Sequence, residues 1–96
     1  MKLLALEREV RNIDWERETQ SLIDEAKAVY QLMLSNSLRE IYFTEYKNAV
    51  LILECDNKIA ARKLLNKLPL VERKIIEFDL IELQPYSGFS RLMDRE

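Results

Sequence analysis

Histidine is absent from this chain, glycine and cysteine each occur once, and proline occurs twice. With no imidazole and only Cys55, a zinc, copper or haem site of the usual ligation has no donor set. Metal-dependent redox chemistry is disfavoured with it. One cysteine also forms no internal disulfide, which fits a reducing compartment and makes the cytoplasm the default location. The lone glycine, Gly88, sits near the C-terminus, so there is no glycine-rich loop to cradle a phosphate. No basic block is present either: acidic and basic residues interleave and the net charge is −2. Nucleic acid is therefore not an expected partner. The apolar runs are only a few residues long, too short to span a membrane. Leu3-Leu4-Ala5-Leu6 is likewise too short for a signal-peptide core and reads as a strand.

What is present is a pattern of alternating and helical periodicities. At 96 residues the chain is one domain. A chain of this size buries roughly 60–65% of its unfolded surface, so its stability leans on an oligomeric interface. Residues 2–9 read as a first strand, with Leu4 and Leu6 on one face and Leu3, Ala5 and Glu7 on the other. Asp14 is a candidate N-cap, and a long amphipathic helix runs from there to about Leu34. Its apolar face holds Trp15, Leu22, Ala26, Val29, Tyr30 and Met33, with Tyr30 and Met33 expected in the core. Glu16, Arg17 and Glu25 read as a solvated face. Asn36 is the expected left-handed terminator.

Two strands follow, about Leu38–Thr44 and Ala49–Cys55, joined by Glu45-Tyr46-Lys47-Asn48, a connection of hairpin length. Asp56 or Asn57 caps a shorter helix with Ala61, Leu64, Leu65 and Leu68 on one stripe. Pro69 is expected to stop it. A fourth strand covers Ile75–Leu83 and ends before Pro85. The tail that follows, 85–96, carries several large apolar groups and is expected to dock on the domain or on a partner subunit.

The order strand, helix, two strands, helix, strand places two helices over one face of a small sheet. The other face is also apolar. Strand three puts Val50 and Ile52 on one side and Leu51, Leu53 and Cys55 on the other. Strand four sets Ile76, Phe78 and Leu80 against Ile75, Ile81 and Leu83. A sheet with one wet face shows clean polar alternation, and strand three does not. Each buried Leu or Ile is worth roughly 1.5–3 kcal/mol. Leaving half a dozen in water forfeits an amount comparable with the whole stability of a small domain. The expected solution is a second copy of the chain, sheet against sheet; the alternative is the chain's own tail laid across that face.

Leu38-Arg39-Glu40-Ile41-Tyr42, Leu68-Pro69-Leu70-Val71 and the run from Ile76 through Glu77-Phe78-Asp79 to Pro85-Tyr86-Ser87-Gly88-Phe89, together with Leu6-Glu7-Arg8-Glu9, resemble the muconolactone delta-isomerase family. The likeness is to an uncharacterised bacterial subgroup of that family, within the dimeric α+β barrel superfamily. It spans nearly the whole chain and specifies the fold more than the chemistry. It implies an α+β, ferredoxin-like βαββαβ unit with a four-stranded antiparallel sheet and two helices on one face, pairing sheet to sheet as a homodimer or a larger homo-oligomer. It further implies a cofactor-independent isomerase that moves a double bond by proton transfer in a small organic acid or lactone. One departure separates the chain from those isomerases: Glu40 stands where they carry a His after the strand-two Arg.

The candidate chemical groups are acidic residues on apolar strands. Glu77 and Asp79 share a face of strand four, Glu40 and Tyr42 a face of strand two, and strand one adds Glu7. If these faces line a cavity between paired sheets, their carboxylates are desolvated and suited to general acid–base work. Glu77, Glu40 and Asp79 are then the catalytic candidates. Tyr42 would hold a carbonyl or enolate oxygen, and Arg39 would pair with a substrate carboxylate, with Glu7 beside them. The competing reading places these side chains at wet strand ends, in ion pairs such as Arg8 or Arg39 with Glu77. Two other functions stay open: a non-catalytic small-molecule binder and a purely structural oligomer.

Overall fold

The computed structural model describes residues 1–93. Strands β1 (Lys2–Glu9), β2 (Leu38–Phe43), β3 (Ala49–Glu54) and β4 (Ile76–Leu83) form one antiparallel sheet in the order β2-β3-β1-β4. Helices α1 (Thr19–Leu34), α2 (Lys58–Asn66), α3 (Pro69–Glu72) and α4 (Ser90–Met93) complete the described chain. The βαββαβ order expected from the periodicities is the one observed.

Alternation along the strands decides what each face buries. Leu3 and Ala5 of β1, Leu51 and Leu53 of β3, and Ile76 and Phe78 of β4 are buried together with Ala61 and Leu65 of α2 and with Leu70 of α3. These are the helix-side residues. Their neighbours Leu4, Leu6, Val50, Ile52 and Leu83 face the other way and are only half-buried, and Ile81 is 50% exposed. Register aligns Ile52, Leu4 and Ile81 in one row across the strands, and Val50 and Leu6 in the next. One face of the sheet is therefore an apolar core, and the other is an apolar strip left open in the single chain.

A bulge at Arg39 sets which way β2 points. Leu38 pairs with Leu53, but Glu40 pairs with Ile52, so Arg39 is the extra residue. Leu38 can then enter the core while Glu40 and Tyr42 point to the open face. Two backbone positions follow expectation: Asp14 accepts the Glu16 N–H at 3.1 Å, and Asn36 takes φ 67° after α1.

Three details differ from the sequence reading. The first helix is interrupted: a 3-10 turn at Trp15–Arg17 precedes α1, and the break falls at Glu18. Glu18 is held from outside by Arg73, whose guanidinium meets its carboxylate at 2.5 Å. Pro69 does not only end a helix; it opens α3 at the first position, where its missing N–H has no helical partner to lose. Ile75 is not on the open face. Lys74 adopts φ 59°, β4 starts only at Ile76, and Ile75 is fully buried in the core.

The tail beyond β4 does not cover the open face. Tyr86 and Phe89 stack edge to face at 4.8 Å, with the Tyr86 ring lying so close over Gly88 that any Cβ there would collide with it. Tyr86, Phe89, Leu92 and Met93 are between 66% and 81% exposed. The last part of the expected tail, residues 94–96, lies outside the described residues.

Candidate functional site

The α1 helix carries a clear apolar stripe, yet none of its residues is fully buried. Ala28, Val29 and Leu32 touch the core from one side. The rest of the stripe stands off the sheet and walls a cavity of about 710 Å³. Leu51, Leu70, Ile76 and Phe78 form its floor, and Leu22, Val29 and Met33 its helical wall. Tyr30 and Phe43, 59% and 71% exposed, stand where it opens to solvent. Tyr30 and Met33 are thus lining residues rather than core, because the helix does not close on the sheet at that end. Trp15 is half-buried, packs against the core and lines the same space. The volume falls within the usual range for small-molecule sites, which are concave and mostly apolar with a few polar groups.

Glu7, Glu9 and Glu25 line this apolar space, and the carboxyls of Glu7 and Glu25 are each held by a backbone N–H. The β1–β3 ladder ends at the Leu6–Val50 pair, while β1 continues alongside β4 to Glu9. The Ala49 N–H beyond that end has no ladder partner, and Oε1 of Glu7 accepts it at 3.0 Å. Glu25 on α1 accepts the Leu70 N–H at 3.0 Å, at the start of α3, where the N-cap residue Leu68 supplies no side-chain acceptor. These bonds fix both side chains.

Burial pushes the Glu7 carboxyl above the ordinary carboxylate range; the Ala49 bond opposes this and the charge of Glu9 adds to it. Burial does the same at Glu25, opposed by the Leu70 bond and helped by the charge of Glu7. The charge of Glu7 thus reaches Glu25. Burial favours the protonated form of each carboxyl, which can donate a hydrogen bond, while its ionised form can accept a proton.

The remaining sequence candidates lie elsewhere. Glu40, Tyr42, Glu77 and Asp79 are on the open face, so Glu7 does not share their side of the sheet. Strand alternation puts it with Leu3 and Ala5, under the helices. Nor does one chain gather the open-face groups. Glu40 and Tyr42 are on edge strand β2, and Glu77 and Asp79 on the opposite edge, β4. At about 4.8 Å per strand the edges lie roughly 14 Å apart.

Each open-face pair is occupied locally. The Tyr42 hydroxyl donates to Glu40 Oε1 at 2.7 Å, which raises the Tyr42 pKa. Arg8 bridges Glu77 at 3.5 Å and Asp79 at 3.4 Å. The Arg39 Nε donates to the Asn36 carbonyl at 2.8 Å and is not paired with Glu77. Among the described residues no group of acidic or cysteine side chains is arranged to hold a metal ion.

Glu25 is the group that sequence reading misplaced, as part of a solvated face. A signal was there. At about 100° per residue Glu25 lies roughly 60° from Leu22 and closer still to Val29, inside the apolar stripe rather than opposite it.

No family model matches the chain, and no curated protein matches it by sequence. Among solved structures it is similar to a crystal structure of muconolactone isomerase, with a TM-score of 0.74 over 92% of this chain and 93% of that one. Sequence identity is 15%, so the likeness concerns the fold: four antiparallel strands with helices on one side.

Proposed function

We propose that the chain is a cofactor-independent isomerase-type enzyme that moves a proton within a small carbonyl compound, in the cavity between α1 and the sheet. The observation that carries this reading is a carboxyl group, Glu7, fixed inside an apolar space of ligand size, with Glu25 as a second such group. The ionised carboxylate takes a proton from the carbon next to the carbonyl. The C–H electron pair moves into the enolate, and the same group returns the proton at the far end of the conjugated system. The net result is a shifted double bond with no change in atoms or oxidation state. The partner carboxyl, in its protonated form, donates to the carbonyl oxygen as negative charge builds there. A pKa raised above the ordinary carboxylate range suits both roles. The fold shared with a muconolactone isomerase supports the reading.

The open sheet face supports a second element of the proposal, pairing of two chains sheet to sheet. It is apolar at its centre, with Leu4, Leu6, Val50 and Ile52, and charged at both edges. The described part of the tail, residues 85–93, leaves it uncovered.

The test is double-bond migration in an unsaturated γ-lactone, followed by NMR, in the chain and in Glu7→Gln. Loss of turnover in the variant, with fold retained, supports the proposal; unchanged turnover overturns it. A second reading places the reaction between paired sheets, where the hydrogen-bonded Glu40–Tyr42 unit would act with Glu77 and Asp79 and with Arg39 on the substrate. In that case Glu40→Gln or Glu77→Gln removes turnover and Glu7→Gln does not. A ligand that binds in the cavity and is never turned over would identify a binder instead.

A further inference from the structure

The charged groups around the cavity are unbalanced. Among the described residues Glu7, Glu9 and Glu25 line it, against a single cation, Lys47. Lys47 is exposed, at φ 68° in the β2–β3 turn, where water screens its charge. Glu7 and Glu25 are half-buried and far less screened.

None of the described arginines lines the space. Three arginines on the surrounding elements are engaged elsewhere. Arg8 is on the opposite face with Glu77 and Asp79, Arg62 donates to the Phe78 carbonyl at 2.6 Å, and Arg73 holds Glu18. The guanidinium fork that ordinarily receives a carboxylate or phosphate is thus missing from the cavity. An entering anion would lose its hydration, find no bidentate partner and face the acidic side chains Glu7 and Glu25.

We infer that the ligand of this cavity is an uncharged carbonyl compound with a sizeable apolar body, and that Glu7, Glu9 and Glu25 together reject carboxylate-bearing analogues. The inference rests on the cavity being the functional site. It goes further in assigning the charge class of the substrate and the residues that select it. The lining accounts for both halves of such a molecule: Leu51, Leu70, Ile76 and Phe78 receive the apolar part, and a protonated carboxyl donates to the carbonyl oxygen. A lactone, ester or ketone fits, whereas an organic acid does not.

The test uses a phenyl-substituted butenolide and the same molecule with a carboxylate on its phenyl ring, both titrated into the chain by calorimetry and by NMR shifts of the cavity residues. The neutral compound should bind at least about tenfold more tightly, the effect expected of one like charge at short range in a partly screened site. The ratio should shrink in Glu9→Gln and in the Glu7→Gln/Glu25→Gln double variant, and also in unmodified protein as salt is raised. Equal or tighter binding of the carboxylate overturns the inference and leaves the cavity as the site. Binding of neither compound, or binding that shifts no cavity residue, overturns the site assignment and the inference with it.

Discussion

The Glu25 carboxylate on α1 accepts the backbone N–H of Leu70 at the first turn of α3, at 3.0 Å. One side chain thus caps a helix that has no cap of its own and also places a carboxyl in the cavity between α1 and the sheet. Replacing it separates the two roles. Glu25→Ala leaves the Leu70 N–H without its acceptor and should cost about 1 kcal/mol, a fall in Tm of roughly 4–8 °C for a domain of this size. Glu25→Gln keeps an acceptor oxygen and should recover most of that loss while still reducing turnover. Thermal unfolding of both variants beside a lactone assay checks the separation.

Stability should decline as the solution becomes less acid. Glu7 and Glu25 have folded-state pKa values raised above 4.5. The native chain therefore holds more protons than the unfolded one from about that pH upward, through the folded values. Native stability falls across that window. Glu18, lowered by its bond to Arg73, acts in the opposite sense: its contribution is present above 4.5 and lost as pH drops through its folded value. Urea titrations at a series of pH values should show the decline above 4.5 in the unmodified chain and its removal in the Glu7→Gln/Glu25→Gln double variant. A decline that persists in the variant would assign it to other groups.

Ile81 offers a direct test of sheet pairing. Half of its surface is exposed on edge strand β4, so in a lone chain Ile81→Asp should change stability by no more than about 0.5 kcal/mol. In a sheet-to-sheet dimer the same change buries an unpaired charge in each subunit, and dimer affinity should fall by ~100-fold or more. Sedimentation across micromolar concentrations distinguishes the two, and a monomeric unmodified chain would refute the pairing.

The Arg8 bridges to Glu77 and Asp79 should be worth little to the isolated fold. All three side chains are about half exposed, and exposed ion pairs contribute about 0–1 kcal/mol. Arg8→Gln should lower Tm by only a few degrees, with the difference shrinking in high salt.

Much of this arrangement is legible in the residues. Alternation in β1, β3 and β4 separates the two faces of the sheet, and Asp14, Asn36 and Asn57 mark where helices begin and end. The apolar open face follows from Val50, Ile52 and Ile81. What was not legible depends on long-range contacts. Nothing local to Glu18 shows that the first helix breaks there, where Arg73, far along the chain, pairs with it. Lys74 gives no sign of a left-handed backbone, so Ile75 reads one residue out of phase. The cavity is the hardest case: periodicity shows which side of α1 is apolar, but not how far the helix stands from the sheet. A stripe that reads as core is the wall of a cavity, and Glu25, within that stripe, lines it with a carboxyl.

The sheet's two outer strands have a consequence for how molecules meet. At one border the extra residue Arg39 kinks the backbone out of line; at the other, Arg62 already occupies the Phe78 carbonyl. Neither border offers a straight, vacant row of amides and carbonyls for a foreign strand to zip onto. Strand addition is disfavoured at both borders. Any pairing of two copies is thereby directed to their broad surfaces, a route that closes on itself.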